Sequence, residues 1–210
     1  MASTDSRRAD SARDRVVAAA RDEFARHGIA GARVDRIAKA ARTSKERVYA
    51  HFRSKEKLYE HVAAAELAAA ADAVHLDPAD LPAYAGQMFD YFTAHPDRYR
   101  FIGWGRLELV PEPSGEPDAD ALGSYHDAIL GKIETIRRAQ RAGDLDPTWD
   151  PVDIMAVVSQ IAHTWLDQAE LAAVTRHAAA DPTLPARREA VIRAVTAIFP
   201  PVRRSQHDGR

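Results

Sequence analysis

The stretch VDRIAKAARTSKERVYAHF, Val34–Phe52, decides how this chain is read. Val34, Ile37, Ala38 and Ala41 fall at i, i+3, i+4 and i+7, one face of a helix. Arg42-Thr43 interrupts that pattern. Ser44 follows, and its hydroxyl can accept from a free backbone N–H of a second helix. Val48 and Phe52, four residues apart, give the second helix its inward face. At about 100° per residue, Glu46, Arg47 and Ala50 fall on the opposite side. Lys45, Tyr49 and His51 lie nearer the edges. A short helix with an apolar back, a small polar front and donor-bearing flanks fits a DNA major groove, which is about 12 Å wide. The flanks reach phosphates and the front reaches base edges. Arg53-Ser54-Lys55 comes next, with Ser54 as the N-cap of a further helix. Its free N–H groups and Lys55 make a phosphate site.

The residues Ala30-Gly31-Ala32-Arg33-Val34-Asp35-Arg36-Ile37-Ala38, followed by Ser44 to Tyr59, closely resemble the helix-turn-helix signature of TetR-type transcriptional regulators. The run Ser-Lys-x-x-x-Tyr-x-x-Phe-x-Ser-Lys-Glu-x-Leu is specific, and the resemblance covers roughly residues 11–62. Beyond that, only helix count and rhythm match. The resemblance implies a DNA-binding head, and a body whose last two helices pair with a second copy. One position departs from the pattern: Arg42 stands where the family usually has Gly. If that residue takes a positive φ, Arg costs about 1 kcal/mol relative to Gly. It also brings a cation within reach of a phosphate.

Arg47 is the expected base reader, because a guanidinium on guanine O6/N7 is the commonest specific contact. Its plainer alternative is a phosphate contact. Glu46 either accepts from cytosine N4 or serves as a first-turn acid on the helix dipole. Ala50 suits a thymine methyl. Thr43, Tyr49, His51 and Lys55 are assigned to phosphates, with Ser44 and Lys45 on the same face. His51 as a plain surface histidine stays open. The resemblance strengthens Tyr49 and Lys55, which match the family's phosphate-contact positions.

Length and composition agree. The 210 residues suffice for one or two domains with a real core. The chain has no Cys, so neither disulfides nor thiolate chemistry enter. No run of 18 apolar residues suggests a membrane span. The polar start MASTDSRRADSARDR lacks the apolar core of a secretory signal. A cytoplasmic, non-membrane location is therefore expected. Residues 1–62 carry 15 Lys+Arg against 9 Asp+Glu, a net charge of +6. Residues 63–210 carry 14 against 22, a net of −8. A basic head on an acidic body is the asymmetry expected if only the head meets phosphate.

The pattern predicts an all-α chain of about nine helices. Residues 1–10 are expected to be disordered, with Ser11 and Asp14 as a capping box and Gly28 as the first helix's stop. The domains read as a helix-turn-helix head at 1–55 and an effector-binding, dimerising body at 56–210. The fourth helix, from Lys55 to about His75, links the two. Asp80 caps a fifth helix with the stripe Leu81, Tyr84, Ala85, Met88, Phe89 and Phe92. A sixth spans about Asp97–Val110, and Pro111–Pro117 is a loop. The seventh runs over about Ala119–Ala142, ended by Gly143. The eighth runs from Pro151 to about His177, and the ninth over about Pro185–Phe199.

The eighth and ninth helices are apolar on more than one side and need covering twice. Val158, Ile161, Trp165, Val191, Val195 and Ile198 are the expected homodimer contacts, the alternative being simple core. Met88, Phe89, Phe92, Trp104, Tyr125, His126, Gln160, His163 and Trp165 are the candidates for a small, largely apolar effector's pocket. Each has the plainer alternative of core packing. No P-loop, nucleophile elbow, metal-ligand spacing or cofactor motif is present, so neither enzyme activity, a metal nor a cofactor is expected. The sequence reads as a homodimeric repressor of double-stranded operator DNA released by an effector. The rival is a dimeric small-molecule carrier, or even an α-helical enzyme, whose head no longer reads DNA specifically.

Overall fold

The computed structural model describes the backbone of residues 2–108 and 119–200, and side chains within 12–108 and 127–200. Among the described residues the chain forms helices and no strand. In order these are α1 (Ala2–Gly31), α2 (Val34–Ala40), α3 (Lys45–Phe52), α4 (Lys55–Ala73), α5 (Leu81–Ala94), α6 (Pro96–Glu108), α7 (Ala119–Ala142), α8 (Pro151–Asp167), α9 (Ala169–Val174) and α10 (Leu184–Ile198). The expected Pro111–Pro117 loop lies outside the described residues.

Three local expectations change. Residues 2–10, expected to be disordered, continue α1, whose Ala and Arg residues are good helix formers. Ser11 therefore sits inside the helix rather than capping it. The long eighth helix stops at Asp167, ten residues early, and α9 follows as a separate piece, giving ten helices among the described residues where nine were expected. Thr164 Oγ1 donates to the Gln160 carbonyl at 3.3 Å, a back-bond that bends helices. Gln168 then leaves the helical region with φ −117° and ψ 46°. Elsewhere the caps act as read: Ser44, Ser54 and Asp80 accept from the N–H groups of Arg47, Lys57 and Ala83.

The chain divides into two compact units. Residues 1–69 with 96–126 form one, and residues 70–95 with 127–210 the other. The first unit thus takes in α6 as well as the helix-turn-helix. Its core centres on three rings: Tyr59 stacks on Phe101 at 4.7 Å and meets Phe24 edge-on at 5.2 Å. The Tyr59 hydroxyl donates to the Phe101 carbonyl at 2.9 Å. Burial pushes that phenol up to about 12, with the Gly105 backbone opposing and Glu108 adding to the shift.

Gly28 breaks α1 with φ 68° and ψ −179°, a combination essentially restricted to glycine. The break frees backbone donors, and α6 takes them. Glu108 accepts from Ile29 N–H at 3.1 Å and from Ala30 N–H at 2.7 Å. Trp104 Nε1 donates to the Ala25 carbonyl at 3.3 Å. A Cβ at residue 28 would collide with the Glu108 carboxylate and crowd the Trp104 ring.

In the second unit α5 packs against both α8 and α10. Leu81, Tyr84, Ala85, Met88, Phe89 and Phe92 are all buried, as the stripe required. Arg188 holds α10 to α5, its Nε within 3.0 and 2.7 Å of the two Asp90 carboxylate oxygens. Lys132 on α7 donates to the Val74 carbonyl at 2.8 Å. Desolvation holds its ammonium below the ordinary lysine value, although Asp72 works against this.

Candidate nucleic-acid interface

The interface is built on two tight corners. α2 ends in a Schellman motif: Arg42 N–H bonds the Lys39 carbonyl at 3.2 Å and Thr43 N–H bonds the Ala38 carbonyl at 3.0 Å. Arg42 takes φ 54° there, the conformation expected of that position. Ser44 then starts α3. Val48 and Phe52 are 1% and 5% exposed, so they anchor the helix from behind. Arg13 covers the Phe52 ring with its guanidinium carbon 5.7 Å from the centroid.

The other face of α3 is open to solvent. Lys45, Glu46, Arg47, Tyr49, Ala50 and His51 are all exposed, while Thr43 in the turn is half-buried. The Arg47 guanidinium makes no hydrogen bond or ion pair among the described residues. Lys45 pairs loosely with Asp35 at 3.2 Å. Hydrogen bonds from its own backbone N–H and the Ser44 side chain hold the Glu46 carboxyl below the usual value, with Lys45 adding to the shift and desolvation and Asp35 opposing it. That is the geometry of a first-turn acid on a helix N-terminus.

Two residues, Arg53 and Ser54, separate α3 from α4, and Ser54 caps α4. An open concavity of about 420 Å³ lies at this corner, lined by Tyr49, Arg53, Ser54, Lys55, Lys45 and Arg33 among others. Lys55 reaches the Ala30 carbonyl at 3.3 Å from its edge. Tyr49 and Lys55 are thus brought together with Lys45 around one open hollow, which Asp35 and Glu56 also line. Arg53 joins them, a residue outside the expected contact set.

The floor of this region is braced by α1. Glu23 accepts from Arg33 N–H at 2.9 Å and from Arg36 Nε at 2.6 Å. Burial pushes the Glu23 carboxyl up, but Arg36 and the Arg33 N–H outweigh it, and the net direction is down.

The expected effector residues do not form one group. Met88, Phe89 and Phe92 are buried in the second unit, where the His163 ring stands edge-on to Phe92 at 5.0 Å. Gln160 is exposed and donates to Asp167 at 3.1 Å. Trp165 lies under the Arg187 guanidinium, 3.5 Å from the ring centroid. Trp104 belongs to the first unit and is engaged at Ala25. The side chains of Tyr125 and His126 lie outside the described residues. Two surface hollows in the second unit, about 450 and 320 Å³, use other residues, Leu145, Phe199 and Pro200 lining both.

The expected dimer contacts split. Val158, Val191 and Val195 are 1%, 3% and 0% exposed, so they are spent inside the protomer between α5, α8 and α10. Ile161 and Trp165 are half-buried, and Ile198 is exposed. Val152 and Leu184, not foreseen, are more exposed still. Among the described residues, no three His, Asp or Glu side chains gather as a metal site, and no helix is long and apolar enough to cross a membrane.

The family model for bacterial regulatory proteins of the tetR family matches residues 16–62, and that for the tetracyclin repressor-like C-terminal domain matches residues 80–196. The HTH-type transcriptional repressor SCO4008 of Streptomyces coelicolor is 32% identical over 154 residues, covering 73% of this chain and 78% of that protein. The HTH-type transcriptional repressor AcnR of Corynebacterium efficiens is 29% identical over 63% of this chain and 66% of its own. The crystal structure of SCO4942 from Streptomyces coelicolor superposes with a TM-score of 0.77 at 57% identity, covering 90% of this chain and 99% of the other.

Proposed function

Because this chain belongs to the TetR family of transcriptional regulators, which are not enzymes, we propose that it represses transcription from a pseudo-palindromic operator as a homodimer. The single observation that supports this best is the solvent face of α3. It presents Arg47 with no partner among the described residues, over an anchor of Val48 and Phe52, beside a hollow lined by Lys45 and Lys55. Arg47 reads a base edge, Ala50 touches a thymine methyl, and Tyr49, Lys55, Thr43 and His51 hold phosphates. Glu46 serves its own helix. The functional division falls near residue 55, and the protein works in the cytoplasm.

The dimer forms through the outer faces of α8 and α10, with Ile161, Trp165 and Ile198 of the expected contacts joined by Val152 and Leu184. Two copies of α3 then enter successive major grooves, about 34–36 Å apart or somewhat more. A small, largely apolar effector binds in the second unit beside Met88, Phe92 and His163. It releases DNA only to the extent that it prefers one spacing of the two α3 helices over the other.

The test is a titration against the chain's own upstream DNA and against random DNA at two salt concentrations. A large specific excess is expected. Arg47→Ala removes a contact worth about 1–3 kcal/mol per site and relaxes specificity, whereas Lys55→Ala weakens binding to every sequence alike. Wild-type protein that binds both DNAs equally would sink the regulator and leave the carrier.

A further inference from the structure

Arg42 and Arg53 share an unusual property. They are the described non-glycine residues with positive φ, at 54° and 59°. They also flank α3, Arg42 on the approach to it and Arg53 on the exit. Arg53 has φ 59° and ψ −47°, and Ser54 N–H bonds the Phe52 carbonyl at 2.6 Å across it. That is a γ-turn of the rare, strained kind. L-residues with a full side chain are disfavoured at positive φ, and glycine is the ordinary solution.

The chain itself contains the control. At the end of α7, Gly143 N–H bonds the Gln140 carbonyl at 3.1 Å and Asp144 N–H bonds the Ala139 carbonyl at 2.9 Å. This is the same Schellman pattern that closes α2, and here the positive-φ residue is Gly143, at 79°. So an identical backbone task is met by glycine in the second unit and by arginine next to α3. Both arginines are exposed, and neither guanidinium has a hydrogen bond or ion pair among the described residues. Among the described residues, the turns' own backbone hydrogen bonds offset part of the strain, and the two side chains add nothing to that.

We propose that Arg42 and Arg53 are backbone-phosphate contacts that clamp α3 into the major groove from its two ends. This rests on the DNA-binding reading and deepens it. α3 has eight residues, and at 1.5 Å per residue it is about 12 Å long. With its side chains a helix is about 10–12 Å thick, so it fills the roughly 12 Å groove, and one this short brings both of its ends close to the groove walls. Residues just beyond either end then stand over the sugar-phosphate rims. Arg53 lines the hollow of Tyr49, Ser54 and Lys55, so its phosphate is shared with the α4 N-terminus. Arg42 serves the opposite rim, where α2 hands over to α3. A phosphate contact carries no sequence information, so the clamp sets register and affinity, while Arg47 sets specificity.

The experiment compares Arg42→Gly, Arg53→Gly, Arg42→Gln and Arg53→Gln with wild type, by thermal melting and by titration of specific and random DNA across a salt series. Each Gly variant removes strain, and its Tm is expected to rise by about 1–3 °C. Its affinity is expected to fall about three- to tenfold on both DNAs, with a salt dependence shallower by about 0.9 for each phosphate that is no longer neutralised. Each Gln variant keeps the strain and loses the charge: Tm stays level and affinity falls as for Gly. Gly143→Arg, at the matching corner, is expected to lower Tm and leave DNA affinity alone. If the Gly or Gln variants bind DNA as wild type does, with an unchanged salt slope, the clamp is wrong while the regulator stands. If wild type shows no preference for its own upstream DNA, the regulator itself fails.

Discussion

α3 and α10 each open on a side-chain cap, Ser44 and Thr183, yet they spend their surfaces in opposite ways. α3 buries Val48 and Phe52 and leaves its remaining residues in water. α10 buries Val191 and Val195, ties Arg188 to Asp90, and lays Arg187 over Trp165. What is left exposed on α10 includes Leu184 and Ile198, large apolar side chains facing solvent. On α3 the leftover surface is cationic and hydrogen-bonding. One helix is held by little and offers chemistry for a polyanion. The other is held by much and offers a thin apolar margin, suited to a second copy of itself.

Mutating one buried and one exposed residue on α10 gives the largest effect and the sharpest test of that contrast. Val195→Asp places an unpaired charge in a fully buried site and is expected to cost about 3–5 kcal/mol, enough to lose the second unit's cooperative melt. Ile198→Asp, three residues on and 39% exposed, is expected to leave the melt nearly unchanged and to reduce the dimer fraction in sedimentation. If Ile198→Asp destabilises as much as Val195→Asp, the exposed margin of α10 is not a free surface.

The same contrast explains which parts of the molecule were legible. α3 is apolar on one side only, so its period, with Ser44 ahead of it, separates back from front. α10 and α8 are apolar on several sides. Period alone cannot say which of Val158, Val191 and Ile198 meets the core and which meets a partner, because that depends on where α5 lies. Arg42 was legible as a positive-φ site because the resemblance has Gly there. Arg53 carried a signal that went unused: one cap, Ser54, follows the buried helix end Phe52 after a single intervening residue, and so sharp a reversal needs positive φ. The break after Asp167 had no Gly or Pro to announce it. Glu108 had no local signal, since its partners Ile29 and Ala30 lie 79 and 78 residues away.

Glu108 gives the next largest effect. It is remote in sequence from the helix-turn-helix, but it fixes the segment that leads into α2 and carries the Lys55 acceptor at Ala30. Glu108→Ala removes two charge-assisted bonds and is expected to cost about 1.5–3 kcal/mol. It should also weaken DNA binding several-fold although Glu108 is not itself on the α3 face. Glu108→Gln, which keeps one acceptor, should recover part of both losses. If Glu108→Ala lowers Tm and leaves DNA affinity unchanged at a temperature where it is fully folded, then α3 is positioned without α6, and its dependence on local anchors is complete.

The smallest expected effect lies in the acid response of the brace under α2. Glu23 accepts from Arg33 N–H and from Arg36, and its carboxyl sits below the ordinary value of 4.5. A carboxylate with a depressed folded-state pKa stabilises the fold above its unfolded pKa. That contribution is whole at pH 7, starts to decline as the pH drops toward about 4.5, and is lost once the pH has fallen through the depressed value. Arg36 is partly solvated, so solvent screening limits the contribution to about 0.5–1 kcal/mol. Glu23→Gln should therefore melt about 1–3 °C below wild type at pH 7, and the two curves should converge near pH 3. A gap that stays constant across this range would mean that Glu23 braces α2 by shape and hydrogen bonding alone. In that case α3 is seated by packing and hydrogen bonds that do not depend on charge, whereas α10 keeps its Arg188–Asp90 ion pair to α5.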